Sequence, residues 1–474
     1  MPITTAMTFP GLQEAAHPEV PFGTTMLFAA ILVGLIASLA LEEKLRAKKS
    51  LIVGIFAVVC LFLGAVLLPL PFGPYEIGGQ QIDLPIYIPA INWGVIAIIL
   101  GASLFVDVTA KSGLFTWIAI RLTKASQGDP LKLLWYYGLM TVAFSAVLNN
   151  VTAMIIVGSL STVSLSKLDR SDKLLGFLLI EGFLTNVGGL LTLISSVPNI
   201  IVGTAAGISF VTFFLKASPF VAVATIVSLV LGAKVFGIRS LVTREERAEA
   251  ARLVAGFDEN DGIESEAFFW FGASMLILFI IAIATASVTP YINDLGMGFV
   301  ALTFAIVMLI RYKHEVDTFY QTIDWDLLGF FAALFVVINV MEHAEVLALI
   351  GMGLERMIAL GPTLGTGAIL VSAALFSSVT DNIPLAAMLA KIISDIPMAG
   401  GGIRPPTDPL WWAVIFGANL GGNLTPIGSA STLVAVTIIH KQKIPLSFAS
   451  FVKKAAPFAL VQIVLALIYV LFVM

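Results

Sequence analysis

Two short motifs rich in Asn, Thr and Gly lie in the first half of the chain and return, in the same order, in the second half. Asn149–Thr152 (NNVT) is matched by Asp381–Pro384 (DNIP), and Asn186–Ile194 (NVGGLLTLI) is matched by Asn419–Ile427 (NLGGNLTPI). Side-chain and backbone oxygens of such residues can replace the hydration shell of a small cation. Free backbone N–H groups can instead hold an anion or a polar neutral solute. The motifs therefore predict a duplicated polar binding site.

The composition indicates which class of protein holds these motifs. Of the 474 residues, 58% are hydrophobic and 12% are charged, whereas a soluble domain carries roughly 25% charged residues. This excludes a soluble enzyme, a disordered chain and a nucleic-acid-binding protein. One cysteine and four scattered histidines argue against a disulfide framework or a zinc site. We expect a polytopic protein of a bacterial or archaeal plasma (inner) membrane, in contact with lipid and without a resident cofactor.

Basic residues predict which loops face the cytoplasm. All but four of the 26 Lys and Arg residues fall into six clusters between apolar runs. Placing these clusters inside puts the N-terminus outside, with residues 1–23 as an extracytoplasmic tail and 24–49 as an extra helix and basic loop. The uncharged stretch 133–166 must then enter and leave on one side, as a re-entrant hairpin, because it is too long for one span and too short for two. The stretch 357–390, whose one charge is Asp381, is predicted to do the same.

The predicted fold is an all-α polytopic membrane protein with two inverted-topology repeats, each with a re-entrant hairpin and a broken transmembrane helix. The units are repeat 1 (50–234, broken helix 174–206), a cytoplasmic linker (235–266) and repeat 2 (267–474, broken helix 410–439). The pairs Gly188–Gly189 and Gly421–Gly422 are expected to break the helices around a wet cavity. In the linker, Thr243 and Glu246 form a capping-box pattern, and Trp411–Trp412 is expected to anchor at the membrane interface.

The candidate binding residues are those at the hairpin tips and the helix breaks. They are Asn149, Asn150, Thr152, Asn186, Gly188, Gly189, Thr192, Ser196, Asn199, Thr380, Asp381, Asn382, Asn419, Gly421, Gly422, Asn423, Thr425 and Ser429. A Na⁺ ion is expected at Asn150 with Asn186, and a second one at Asn382 with Asn419. The alternative is that these Asn and Thr side chains only cap half-helices or join helices together.

Two acids within the spans are candidates for proton transfer, because ionisable residues there are costly and usually functional. Asp381 at the second tip is the candidate for exchanging a proton with a cation. Glu181, five residues before Asn186, could gate or relay protons, or be paired near the interface. We expect no Lys or Arg near the clamps, so a multiply charged anion such as citrate would lack a strong partner.

The motifs resemble those of the ion transporter superfamily, which includes arsenite permeases, NhaD-type sodium/proton antiporters, the melanosomal P protein group and, more distantly, divalent anion/sodium symporters. The residues that carry the resemblance are Leu148–Thr152, Asn186–Gly189, Pro198–Ile200, Asp381–Pro384 and Gly421–Gly428. The resemblance covers about residues 50–474. It implies inverted repeats, an elevator-like transport domain carried by a scaffold, and a homodimer.

Departures from the family pattern shape the expected function. NhaD-type antiporters usually carry an acid where Asn149 stands and another near Ser196. Because both acids are missing here, Asp381 must do more of the proton and cation binding. We expect a secondary transporter of a small inorganic ion coupled to H⁺ or Na⁺, with sodium (cation)/proton antiport as the leading version. The alternatives are efflux of arsenite, another metalloid or another anion, and sodium-coupled anion symport. An intramembrane enzyme is disfavoured because no catalytic constellation is visible, and a passive channel would show no counter-ion dependence.

Overall fold

The computed structural model describes residues 20–70, 74–77, 80–398 and 402–474, so most of the predicted tail lies outside the described residues. The helices up to the linker are α1 (Phe22–Ala40), α2 (Glu42–Leu45), α3 (Lys49–Leu67), α4 (Tyr87–Ala90), α5 (Trp93–Lys111), α6 (Leu114–Ser126), α7 (Pro130–Val147), α8 (Asn150–Lys167), α9 (Leu174–Gly188), α10 (Val197–Ala205), α11 (Phe210–Val235) and α12 (Arg244–Ala255). A 3₁₀ turn covers Ser171–Lys173.

The helices after the linker are α13 (Glu266–Thr285), α14 (Ile292–Arg311), α15 (Val316–Thr322), α16 (Trp325–His343), α17 (Val346–Ile358), α18 (Pro362–Val379), α19 (Asn382–Asp395), α20 (Pro409–Gly421), α21 (Ala430–Lys441) and α22 (Phe448–Phe472). Within the described ranges, nine helices are long and apolar enough to cross a membrane. The prediction of a helical, multi-pass membrane protein is therefore confirmed.

One small β-element departs from the all-helical expectation. Strands β1 (Pro74–Ile77) and β2 (Gln80–Asp83) pair antiparallel between α3 and α4. The sequence signal for this hairpin is the Gly78–Gly79 dipeptide between two short segments with β-forming residues.

The helices from α5 to α11 are followed, element by element, by those from α16 to α22. Asn92 and Asp324 cap α5 and α16 by accepting hydrogen bonds from backbone amides of the first turn. Both α7 and α18 begin with proline, whose missing N–H costs nothing at that position. This shared order fits the predicted duplication, while the opposed orientation of the two halves stays a prediction.

The two hairpins are the helix pairs α7–α8 and α18–α19, whose helices pack on each other. Their tips are the extended residues Leu148–Asn149 and Thr380–Asp381. The second hairpin begins later than position 357 because α17 runs to Ile358 and the chain turns at Gly361, where φ is +99°.

The two broken helices are α9–α10 and α20–α21, whose breaks cover residues 189–196 and 422–429. Each first half-helix ends at the predicted glycine pair, but with an ordinary negative φ at the second glycine. The glycines are needed because the hairpins pack so closely. A Cβ on Gly421 would lie 2.1 Å from the Ala374 carbonyl oxygen, and one on Gly188 would lie 2.7 Å from the Val142 Cα. The breaks therefore sit directly against the hairpins.

Two surface expectations have different outcomes. The capping box of α12 is present: Thr243 Oγ1 accepts from the Glu246 amide, and the Glu246 carboxylate accepts from the Thr243 amide. That amide lowers the pKa of Glu246 from its usual value. The interfacial role of Trp411 and Trp412 is wrong, because both side chains are 1% exposed. They lie in the first turn of α20, which is packed on all sides, and Trp412 contacts the Phe213 ring.

Candidate functional site

A cluster of buried amides joins the first hairpin tip to both broken helices. Asn150 Nδ2 donates to Asn186 Oδ1 at 3.3 Å, and Asn186 Nδ2 donates to Asn423 Oδ1 at 2.7 Å. The hydroxyls of Ser429 and Ser431 also donate to Asn186 Oδ1, at 3.0 and 3.1 Å. Three donors therefore converge on one oxygen, which leaves it no lone pair for a cation in this conformation.

A second cluster surrounds Asn419. Its Oδ1 accepts from the Ser196 hydroxyl at 2.7 Å, and its Nδ2 donates to Asn199 Oδ1 at 2.9 Å. Asn199 in turn donates to the carbonyls of Gly189 and Thr192, at 2.6 and 3.0 Å. These are carbonyls that the break of the first helix leaves without helical partners, so the Asn199 side chain satisfies them.

The two broken helices are linked crosswise. Ser196 of the first break binds Asn419 of the second helix, and Ser429 of the second break binds Asn186 of the first helix. Reciprocal pairs of this kind are what a local two-fold relation between two units produces. The predicted motif residues of the two helix breaks are thus brought into two buried clusters, each of which joins both broken helices.

Serine and threonine hydroxyls attach each hairpin to its broken helix at matching positions. Ser145 donates to the Thr185 carbonyl at 2.6 Å, and Ser377 donates to the Ala418 carbonyl at 2.5 Å. In the opposite direction, the predicted residues Thr192 and Thr425 each donate at 2.5 Å to a hairpin carbonyl, that of Ala146 and of Ser378 respectively. Sequence reasoning missed Ser145 and Ser377, although both stand five residues before a tip asparagine.

The two hairpin tips differ in how they use their polar side chains. Asn149 caps α8 by accepting from the Thr152 amide at 2.8 Å, and Asp381 caps α19 by accepting from the Ile383 amide at 3.0 Å. Asn150 is hydrogen-bonded into the first cluster. Asn382 is buried, but no hydrogen bond from any described residue reaches its side chain. At the second tip, therefore, the Asn382 amide is not engaged by a described residue, whereas Thr380 and Asp381 are.

A cavity of about 120 Å³ opens at the second tip. It is bounded by the end of α1, the start of α3, the tip of the second hairpin and the second helix break, and its polar lining is Glu42, Lys49, Thr380, Asp381 and Ser429. Ser429 also belongs to the first amide cluster. The cavity is therefore in direct contact with this cluster.

Lys49 forms an ion pair with Asp381, and its Nζ lies 3.8 Å from Glu42 Oε2. The expectation that no Lys or Arg lies near a clamp is therefore wrong. Lys49 is the first residue of α3. Its side chain reaches the tip of the second hairpin because the last residues of α1 and the first residue of α3 border the same cavity as that tip. The adjacent Ser50 binds Asp326 through both its amide and its hydroxyl, which fixes the start of α3 against α16.

Two further polar residues extend the first amide cluster beyond the sequence motifs. Asn423 Nδ2 donates to Gln462 Oε1 at 2.8 Å, and Gln462 Nε2 donates to Ser228 Oγ at 2.9 Å. Gln462 lies in α22 and Ser228 in α11, so the chain of amides reaches the last helix of each half. The signal that could have found Gln462 is an amide within an otherwise apolar span.

Glu181 lies away from both tips, in the middle of α9. It is fully buried, and its Oε1 accepts from the Ser161 hydroxyl at 2.5 Å. Its other oxygen, Oε2, is buried and receives no hydrogen bond from the part of the chain that the structure describes. The alternative of an ion pair near the interface is therefore wrong.

Comparison with known proteins identifies relatives along most of the chain. The model of the CitMHS family, described as "Citrate transporter", matches residues 39–417. The "Uncharacterized transporter Rv2684" of Mycobacterium tuberculosis (strain ATCC 25618 / H37Rv) is 30% identical over 387 residues, which cover 80% of this chain and 86% of that protein. The "P protein" of Mus musculus is 24% identical over 487 residues, which cover 88% of this chain and 58% of that protein.

Solved structures of transporters share the fold. The Alcanivorax borkumensis YdaH transporter, described as having an unusual topology, aligns with a TM-score of 0.53 at 14% identity, over 90% of this chain and 98% of that one. Neisseria gonorrhoeae MtrF, described among antimetabolite efflux pumps, aligns with a TM-score of 0.56 at 16% identity, over 90% and 95%. With the family match over residues 39–417, these results show that the chain is a multi-pass membrane transporter of the CitMHS citrate transporter family.

Proposed function

We propose that this protein is a secondary active transporter that exchanges a small inorganic cation, such as Na⁺, for protons at Asp381. The observation that carries the proposal is the position of this carboxylate. It lines a small cavity at a hairpin tip, next to the first amide cluster, and its neutralising partner is an ammonium group on another element. A carboxylate held in this way can exchange one positive charge for another.

The exchange follows from competition for one negative charge. The carboxylate of Asp381 can bind the Lys49 ammonium, a proton or a cation, and charge balance within the membrane favours one of them at a time. Thr380 and Ser429, which line the same cavity, supply neighbouring oxygen atoms for a cation that displaces Lys49. The small size of the cavity, about 120 Å³, suits a monatomic ion with part of its hydration shell.

The transport cycle needs access to Asp381 from both sides of the membrane. We place the N-terminus outside and the basic loops in the cytoplasm of a bacterial or archaeal cell, following the distribution of Lys and Arg. The hairpins and broken helices would move together against a scaffold that includes α3, as a homodimer. Lys49 then sits at the boundary between the moving and static parts, so its pairing with Asp381 closes the empty site.

The test is cation-driven proton release in inverted membrane vesicles, followed with a pH-sensitive dye. Addition of Na⁺ should produce dequenching with the wild-type protein, and Asp381→Asn should abolish it. The matched control is Asp395→Asn, at the end of the same helix α19, where the carboxylate binds Lys391 at the surface; this variant should keep the response. If no cation elicits dequenching with the wild-type protein, the antiport proposal fails.

Anion transport is the second candidate, and Lys49 is the observation that favours it. An ammonium group at the cavity could hold a carboxylate or another oxyanion. The family model that matches this chain is described as "Citrate transporter". In this version Asp381 releases Lys49 to the anion when it takes up Na⁺ or a proton. Uptake of radiolabelled citrate that depends on Lys49 and on a cation gradient would support anion transport. Efflux of arsenite, the other candidate substrate, would be measured as arsenite resistance of the host cells.

A further inference from the structure

The first half of the protein contains a buried polar chain that the candidate site does not use. The Tyr137 hydroxyl on α7 lies 2.7 Å from Thr123 Oγ1 on α6 and 2.7 Å from Ser164 Oγ on α8. One turn before Ser164, on the same face of α8, Ser161 donates to Glu181 on α9. Thr123, Tyr137, Ser161 and Glu181 are all fully buried. Side chains of three helices thus lead to a single acid on a fourth.

The second half provides an internal comparison for this chain. Four of its five counterpart positions, counted from the same helix starts and motif asparagines, are apolar: Ile369 for Tyr137, Ile393 for Ser161, Ile396 for Ser164 and Val414 for Glu181. The fifth is Glu355 for Thr123, at the outer end of the chain. Ile369, Ile393 and Val414 are buried in their helices. The fold therefore packs this region without an acid, so helix packing alone does not account for Glu181.

The surroundings of Glu181 suit a carboxyl group that holds a proton. Ser161 occupies one oxygen, and the other is buried and receives no hydrogen bond from a described residue. Three of the helices packed on α9 lie near Glu181. Tyr137 of α7 is the titratable side chain that faces the Glu181 carboxyl, and α8 contributes Ser161. In α21, Ala435 lies against Gly182, the residue next to Glu181. No ion pair from any described residue reaches the carboxyl, and an unpaired charge buried at this depth would be costly.

The chain leads towards the loop between α6 and α7, under the linker. One turn after Thr123, Ser126 donates to the Thr123 carbonyl at 2.6 Å and accepts from the Gly128 amide. Gly128 packs on Ala250 of the linker helix α12, and the adjacent Asp129 accepts from the Leu241 amide. The outer end of the chain is therefore the covered loop at residues 126–129.

We propose that Glu181 is a second proton-binding residue, loaded through the hydroxyls of Thr123, Tyr137 and Ser164 from the loop beneath the linker. A proton enters at the loop, each hydroxyl accepts one proton and passes one on, and the last proton forms an O–H bond on Glu181. The path needs one water molecule between the loop and the Thr123 hydroxyl, because Ser126 binds the Thr123 backbone carbonyl, and another across the turn between Ser164 and Ser161. No electron transfer is involved, and every hydroxyl ends as it began.

The proton-binding role stands independently of Asp381, whereas its use in transport rests on the proposed proton coupling. The first test is therefore infrared difference spectroscopy of the purified full-length protein, titrated from neutral to alkaline pH. We expect the C=O band of a protonated carboxyl group that is lost in Glu181→Gln and kept in Asp381→Asn. Persistence of the band in Glu181→Gln, or its absence from the wild-type protein, would overturn the proposal.

The second test addresses the path. Tyr137→Phe removes one hydroxyl with little change in shape. It should slow proton-coupled transport roughly a hundredfold, the low end of what a positioned proton-transfer group contributes, while leaving the substrate KM unchanged. Thr225→Val is the matched control, because this buried hydroxyl on α11 binds only the Val221 carbonyl of its own helix; its rate should equal that of the wild type. Equal rates for Tyr137→Phe and the wild type would refute the path.

Discussion

Replacing Lys49 with methionine tests the central ion pair. In the antiport mechanism an incoming cation must displace the Lys49 ammonium from Asp381, so the variant should bind the cation more tightly. A hydrogen bond between charged groups contributes about 1.5–3 kcal/mol, and the low end applies because the Lys49 side chain is 25% exposed. About 1.4 kcal/mol corresponds to a factor of ten in affinity. We therefore expect the KM for Na⁺ to fall about tenfold in inverted vesicles at constant pH.

Two controls accompany this measurement. Lys49→Arg keeps the positive charge and should keep the KM near the wild-type value. Lys391→Met removes a different ion pair of the same hairpin, that with Glu342 at 2.8 Å, and should leave the KM unchanged because it does not line the cavity. An unchanged or raised KM for Na⁺ in Lys49→Met, in protein that elutes as the wild type does in size-exclusion chromatography, would refute displacement.

The same variant distinguishes the two candidate functions by the sign of its effect. If Lys49 holds an anionic substrate, its removal takes away an attraction, and the KM for that anion should rise about tenfold by the same arithmetic. A lowered KM for a cation together with a raised KM for an anion would indicate that both bind at this cavity.

Three further predictions concern the framework of the site. Asn186→Ala should lower the melting temperature more than Asn150→Ala, because it removes the common partner of three buried side chains and of the half-buried Asn150. Each buried group left unpaired costs about 1–3 kcal/mol, and equal melting temperatures would contradict this. Gly189→Ala would place a Cβ 2.5 Å from Asn150 Oδ1, so overpacking of about 1–3 kcal/mol should appear as lost transport, whereas Gly54→Ala, with open space around it, should match the wild type. Thr243→Ala should speed amide exchange in α12 by roughly fivefold, as expected for a lost cap of about 1 kcal/mol, without changing transport; a transport defect would indicate that the linker acts on the site.

The sequence was sufficient for the parts of the site that repeat. Asn186 and Asn419 could be identified because polar residues at equal places in two halves of an apolar chain need a common cause. The positions of both helix breaks followed from the glycine pairs. The sequence did not reveal why glycine is needed at these breaks. A glycine that allows a close approach and one that adopts a positive φ look alike in a sequence.

Features that occur once were harder to predict. Lys49 was assigned to a cytoplasmic loop because a charge count records which loop a residue belongs to, and not how far its side chain reaches. Gln462 belongs to no motif, and its hydrogen bond to Asn423 depends on how α22 packs against the second broken helix. Trp411 and Trp412 were misassigned because indole rings are common both at interfaces and in packed interiors.

The crosswise serine–asparagine bonds imply a limit on what either half can do by itself. Asn186 obtains its hydroxyl donors from the second half, and Asn419 obtains its donor from the first. If the halves arose from a single ancestral gene, the product of that gene could complete its buried amides only by joining an identical copy. Gene fusion would then have made permanent a pairing that the ancestral chain already required.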